Sequence, residues 1–378
     1  MNIPPYLVAA AIAFIVTYSI SLEMQWIARR LGAVTPPGGR HIHTRPIPRM
    51  GGLAIFGGVM LALLMALPID SPVALVREPR YLILAVPYKP LVSPLVGVIL
   101  GAVAITVLGA VDDLRALPGR LKFPLIYVAA AIPVMFGLTT SFLTNPLQGT
   151  SVPLGVAGQI FTVIWLGSLA IALNSIDGVD GLAAGIAGIT GATLLMAAAP
   201  RGDVATMTLA AAVVGASVGF LRHNFHPARI FMGDSGSMLL GYLLGAASVH
   251  GLFKAATALS LAIPVLALAV PIADTGYAIV RRYRKSVSIF LPDREHFHHR
   301  LLDRGLTQRQ TVLVLYLLSA VFGLGGLAAA GINRSASLAV LGTIILVVLL
   351  LVRRVGLFRL RGTAAADLPD PANTLTPR

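Results

Sequence analysis

Five aspartates in three short blocks define the chemistry this sequence could perform. Asp112 and Asp113 stand together in Gly109-Ala110-Val111-Asp112-Asp113-Leu114, Asp177 and Asp180 punctuate Asn174-Ser175-Ile176-Asp177-Gly178-Val179-Asp180-Gly181-Leu182, and Asp234 lies in Phe231-Met232-Gly233-Asp234-Ser235-Gly236. Gathered at one place, five carboxylates cannot all stay ionised without cations, because like charges disfavour one another's charged form. Hard oxygen donors in a chain without cysteine point to Mg²⁺, with Mn²⁺ as the other candidate. Mg²⁺ takes one or two carboxylates and leaves its remaining positions to water and phosphate oxygens, so a phosphate or diphosphate is the substrate such a cluster implies. Asp177-Gly-Val-Asp180-Gly lacks the alternating acids and distal Glu of a Ca²⁺ loop. The plain structural alternative is that each acid only caps a helix.

Two basic clusters accompany the acids. Arg40, His41, His43, Arg45 and Arg49 precede Met50-Gly51-Gly52, and Arg281-Arg282-Tyr283-Arg284-Lys285 is followed by His296-Phe297-His298-His299-Arg300. Three histidines in four residues could bind zinc, but there is no Cys and no Glu at a zincin spacing. Imidazole and guanidinium groups would equally hold diphosphate oxygens, which the acid cluster favours. The Arg281–Lys285 run could also answer to membrane topology and anionic lipid. Glu23 and Asp274, near span ends, read as polar packing or as helix-end partners such as those of an Arg.

What must position these groups is a set of membrane helices. Of 378 residues 56% are hydrophobic and only 12% charged, against roughly 25% charged in a soluble domain; the mean hydropathy is +0.84. A soluble globule is excluded, and the net charge of +14 reads as topology rather than nucleic-acid binding. Apolar runs long enough to span fall at 7–27, 53–69, 95–111, 123–138, 156–173, 182–199, 204–221, 237–252, 256–280, 311–330 and 335–352, about eleven in all. The expected fold is therefore an all-α polytopic bundle. Alternate connections carry 23 of the 29 Lys and Arg, which predicts the N-terminus outside and the C-terminus in the cytoplasm, with all five aspartates at cytoplasmic helix ends. Arg29 and Arg30 follow the first span and no basic residue precedes it, the reverse of a cleavable signal, so that segment is expected to stay. Residues 1–361 read as one integral membrane domain, 362–378 as a disordered cytoplasmic tail rich in Pro, Ala, Thr and Asp. The 281–310 connection has room for a short amphipathic element.

With these blocks in view, the chain resembles the polyprenyl-phosphate N-acetylhexosamine-1-phosphate transferases (glycosyltransferase family 4), which include the initiating enzymes of enterobacterial antigen and teichoic acid and the peptidoglycan lipid I synthase. The resemblance runs from about residue 35 to 310 through five ordered blocks: Pro48–Gly52, Val111–Leu114, Asn174–Leu182, Asn224 with Phe231–Gly236, and His296–Arg300. The His-x-His-His form resembles the branch that transfers N-acetylglucosamine-1-phosphate more than the branch using the muramyl-pentapeptide nucleotide. Thr35 and His41 stand where the antigen and teichoic-acid branch usually has an acid and a lysine.

The resemblance implies a lipid phosphate attacking the β-phosphorus of a UDP-N-acetylhexosamine, giving a lipid diphosphate sugar and UMP. A phosphate monoester is largely dianionic at pH 7, so no strong base is needed, and cations should dominate catalysis. It implies Asp234 and Asn174 as metal ligands and Asp112, Asp113, Asp177 and His296 as catalytic groups. Asp112 and Asp113 would orient or deprotonate the lipid phosphate, or position Mg²⁺. It implies substrate contacts from Asp180 and Asn224 to the nucleotide, a Phe231 stack on uracil, and His298, His299, Arg300, His43 and Arg49 toward diphosphate or sugar. The expected partners are undecaprenyl phosphate and the UDP-sugar, with no nucleic acid and room for a homodimer. The expected location is a multi-pass place in the plasma (inner) membrane with a cytoplasmic active site. Two rival readings are a phospho-N-acetylmuramoyl-pentapeptide transferase and a cation-coupled secondary transporter, whose sites lie near the bilayer midplane. A loop scaffold that only binds a partner is a third.

Overall fold

A computed structural model describes residues 3–36, 46–66, 80–81, 87–88, 94–144, 151–251, 258–288 and 296–331, with 339 and 342–343 besides. His41, His43, most of the eleventh predicted span and the 362–378 tail lie outside the described residues. The apolar runs fold as α1 (Pro5–Arg30), α2 (Gly51–Ala66), α3 (Pro94–Arg115), α4 (Gly119–Met135), α5 (Val156–Ile176), α6 (Leu182–Ala198), α7 (Val204–Asn224) and α8 (Gly233–Gly251). They continue as α9 (Ala258–Ala267), α10 (Ala269–Arg284), the short α11 (Phe297–Leu302) and α12 (Gln308–Gly331). Among the described residues three two-stranded antiparallel ribbons fill connections: β1 (Val34–Thr35) with β2 (Ile47–Pro48), β3 (Arg80–Tyr81) with β4 (Pro87–Tyr88), and β5 (Phe142–Thr144) with β6 (Ser151–Pro153). Helices are what hydrocarbon permits, since each closes its own backbone hydrogen bonds. Among the described residues six helices are long and apolar enough to cross a membrane, and α2 is a shorter apolar one. The molecule is an all-α membrane protein.

Helix α8 is the hub, buried from Ser235 through Val249 and packed against α2, α3, α5, α6 and α7. A helix apolar on all sides belongs in the middle of a bundle. Its buried polar groups are paired: Tyr242 donates its hydroxyl to Val98 O of α3 at 3.0 Å, and Ser237 and Ser248 donate theirs to Gly233 O and Gly245 O of their own helix. Around this hub α1 lies along α7 and α2, while Leu7, Ile15, Val107 and Ile164 face outward, as a lipid-facing surface requires.

The single span expected over 256–280 is instead two helices, broken at Leu268. Pro271 has no N–H to offer Ala267 O and its ring crowds that carbonyl. Thr190 of α6 satisfies it instead, donating its hydroxyl at 2.8 Å. The break frees α10 to take its own course, and α10 is markedly amphipathic, ending in Arg281, Arg282 and Arg284.

Candidate active site

The N-terminus of α8 is where the functional blocks meet. Gly233 has φ +72°, a conformation that suits glycine, and a Cβ there would strike the Asp113 carboxylate. Gly52 at the start of α2 passes so close that its Cβ would fall 2.1 Å from Gly236 N. Backbone bonds stitch the two starts together: Phe231 N to Pro48 O, Gly51 N to Phe231 O, and Gly52 N to Met232 O, at 2.8 to 3.0 Å. The blocks Pro48–Gly52 and Phe231–Gly236 are thus one structural unit.

Asp113 lies at the end of α3 with its side chain fully buried. It accepts from Asp234 N at 2.8 Å, Ser235 N at 3.1 Å and Ser235 Oγ at 2.8 Å. These are orphan amides of the first turn of α8, so Asp113 caps a helix other than its own. Arg49 Nη2 stands 3.4 Å from its Oδ1. Its neighbour Asp112 turns elsewhere, accepting from Leu117 N at 2.6 Å and pairing with Lys122 Nζ at 2.8 Å.

Lys122, in the first turn of α4, is not marked by any of the sequence blocks and stands at the centre of the site. Its ammonium contacts Asp234 Oδ2, pairs with Asp112 Oδ2, and donates to Asn174 Oδ1 at 3.4 Å. Asn174, on the last turn of α5, donates through Nδ2 to Asp234 Oδ1 at 2.8 Å and to Ser237 Oγ at 2.9 Å. Two carboxylates and an amide oxygen therefore already surround a cation, and this is the hard-oxygen donor set that suits Mg²⁺. Among the described residues no three His, Asp or Glu side chains group as metal ligands.

Asp177 follows directly where α5 ends. Burial pushes its carboxyl up, and the negative charges of Asp234, Asp113 and Asp180 add to this against Arg49, bringing it to about 8. It is the member of the cluster with the least compensation.

The histidine block folds against the same loop. Asp274 of α10 is buried; it accepts from His296 Nδ1 at 2.7 Å and from Phe297 N at 2.7 Å, so it orients one imidazole and caps α11. It is a helix-end partner, as the sequence suggested, but for a histidine rather than an arginine. The His296 and His298 rings are parallel at 5.7 Å, and His298 and His299 lie 4.3 Å apart. Gly178, beside Asp177, packs on His298, where a Cβ would be 2.7 Å from Nε2. Arg300 lies over the Tyr277 ring at 4.9 Å and donates to its hydroxyl at 3.3 Å.

Two predicted nucleotide contacts are engaged within the protein. Asn224 is buried, its Oδ1 accepting from Gly181 N at 3.0 Å and its Nδ2 donating to Ile230 O at 2.9 Å. Asp180 accepts from His226 Nδ1 at 2.8 Å and Ala228 N at 3.0 Å. Both tie the α5–α6 turn to the α7–α8 connection, and Arg309 of α12 adds a bond to His226 O at 3.1 Å. Phe231 is half-buried at the rim. Arg49, Asp112, Asp113, Asn174, Asp177 and Asp234 are thus brought together, His296–Arg300 adjoin them across Gly178, and Asp180 and Asn224 brace the floor.

Comparison with known proteins gives a consistent set of relatives. Residues 95–252 match the family model described as glycosyl transferase family 4. A Bacillus subtilis protein named as a probable undecaprenyl-phosphate N-acetylglucosaminyl 1-phosphate transferase is 35% identical over 320 residues, 85% of this chain and 84% of that protein. A decaprenyl-phosphate N-acetylglucosaminephosphotransferase of Mycobacterium tuberculosis is 35% identical over 88% of this chain and 85% of its own. An undecaprenyl-phosphate alpha-N-acetylglucosaminyl 1-phosphate transferase of Escherichia coli is 25% identical over 78% and 76%.

Proposed function

The chain belongs to glycosyl transferase family 4, and from that premise we propose that it transfers N-acetylglucosamine-1-phosphate from UDP-N-acetylglucosamine to undecaprenyl phosphate, releasing UMP. The observation that carries this reading is the cradle at the start of α8, where Asp112, Asp234 and Asn174 surround the Lys122 ammonium. Such a cradle suits a reaction in which two phosphate-bearing molecules must be brought together. Asp234 and Asn174, with Asp112 beside them, would hold Mg²⁺, which when bound supplies charge neutralisation to the diphosphate and to the departing UMP.

This chain's own residues have separable tasks. Asp113 fixes the α8 N-terminus and so aims Asp234 into the site. The lipid phosphate needs no strong base, so Asp112 and Asp177 serve to orient it and the cation rather than to strip a proton. Asp274 holds His296 by Nδ1 and so orients the imidazole that would face the diphosphate. His298, His299 and Arg300 supply further donors for sugar or phosphate. Asp180 and Asn224 shape the nucleotide pocket through the turn they brace, and Phe231 stacks on uracil.

The excess of Lys and Arg on alternate connections supports an N-terminus outside, a cytoplasmic C-terminus and a site on the cytoplasmic face of the plasma membrane. The carboxylates stand at helix ends, whereas transporter sites lie near the midplane. The test is UMP release by the purified protein in detergent with undecaprenyl phosphate and UDP-N-acetylglucosamine, with Mg²⁺ and again with EDTA. Release that requires both lipid and metal is expected. Uptake of a solute into proteoliposomes without UMP release would overturn the reading in favour of transport.

A further inference from the structure

The position of Lys122 raises a question of charge. Its ammonium occupies the space between Asp112 Oδ2, Asp234 Oδ2 and Asn174 Oδ1, the three oxygens best suited to a hard cation. Its side chain is only 13% exposed, so it sits within the cradle rather than over it. Two carboxylates and one ammonium leave the cradle at −1. Adding a dication without moving the lysine would set three positive charges against two negative ones in contact distance, with ammonium and metal competing for the same lone pairs. A lysine on a flexible four-carbon stem can leave such a place far more easily than the helix-borne oxygens can.

We propose that Lys122 and the divalent cation take turns in one cradle: the ammonium holds it when the metal is absent, and metal binding displaces Lys122, freeing its charge for the phosphates. The inference rests on the metal-dependent reading above. It gives the lysine two duties. In the resting protein it keeps Asp112 and Asp234 from repelling each other, and in the loaded protein it adds a mobile cation at the moment two anionic substrates must approach. A lysine that were merely a fixed ion-pair partner would stay where it is when metal binds.

The chain has four lysines, which makes the test clean. Acylation of Lys122 by an amine-reactive reagent is followed by peptide mass spectrometry on the full chain in detergent, with and without saturating Mg²⁺, using exposed Lys285 as the internal standard. If the ammonium holds the cradle in nine molecules of ten, saturating Mg²⁺ should raise Lys122 labelling up to about tenfold relative to Lys285, and Asp234→Asn should abolish that response. Correspondingly, Lys122→Met should bind Mn²⁺, read as loss of the free-ion paramagnetic signal, about tenfold more tightly than the unaltered chain. Unchanged Lys122 labelling together with Asp234-dependent Mn²⁺ binding would overturn the shared cradle and leave the metal reading standing. Absence of any Mn²⁺ binding that Asp234→Asn removes would overturn both. The labelling experiment uses the unaltered chain, so it decides the matter even if Lys122→Met does not fold.

Discussion

Asp203 and Asp177 are both aspartates at helix ends of one bundle, at opposite ends of it, and their surroundings act on them in opposite directions. Asp203 caps α7: it accepts from Thr206 N at 3.1 Å and Thr206 Oγ1 at 2.7 Å, with His250 Nδ1 at 3.7 Å. Burial alone would raise its carboxyl, but the bonds from His250 and Thr206 prevail and hold it well below the usual carboxylate range. Asp177 is raised by burial too, and there the neighbours are Asp234, Asp113 and Asp180, so it is pushed further up, to about 8. One end of the bundle spends its acid on structure. The other keeps acids in excess of their partners, which is the arrangement expected of a site that receives cations.

The sharpest break of this contrast is Asp234→Ala. It removes the carboxylate facing Lys122 and Asn174, and UMP release should fall at least about a hundredfold, or about 2.7 kcal/mol in barrier. Retention of more than about a tenth of the activity would take Asp234 out of the metal role. Next, Gly52→Ala forces a methyl against the backbone of Gly236. Overpacking of this kind costs about 1–3 kcal/mol, seen as a lower thermal midpoint in detergent and reduced turnover, because α2 and α8 can no longer converge.

A pH series sharpens the comparison without mutation. The Asp177 carboxyl sits at about 8 in the fold and at about 3.9 in an unfolded chain, so between those values the folded state holds a proton that the unfolded state has lost. Stability in EDTA should therefore decline as the pH rises from about 4 to about 8, and Mg²⁺ should flatten the decline. A midpoint that rises over this range would contradict the assignment. The smallest effect belongs to the other end: Asp203→Asn weakens a helix cap, costing about 1 kcal/mol or less in thermal stability while UMP release stays unchanged.

Much of this was legible in the sequence because lipid imposes a simple rule. Runs such as 7–27 and 204–221 had to be helices, and α1 and α7 fall on them. The break at Leu268 escaped because hydropathy averages over it, although Pro264 and Pro271 mark the place. Within the cluster, Asp234 and Asn174 stand in blocks that the sequence itself marks. Lys122 does not, because at the head of an apolar helix it reads as a topology charge, and nothing nearby in sequence says that Asp112 and Asp234 surround it. Asp113 and Asn224 are read from sequence as polar groups awaiting a ligand. Their partners, the first amides of α8 and the backbone of Gly181 and Ile230, appear only when distant segments meet. Asp113 and Asp203 both accept from first-turn amides of a helix, whereas Asp234 is bonded by the side chains of Asn174 and Lys122.

The most direct test follows the β-phosphate. UDP-N-acetylglucosamine labelled with ³²P in its β-phosphate is given to the purified chain with undecaprenyl phosphate, with Mg²⁺ and with EDTA. The account predicts that the label moves into the lipid as UMP appears in equal amount, only when Mg²⁺ is present. Label left on UDP or released as free phosphate, or transfer undiminished by EDTA, would contradict it.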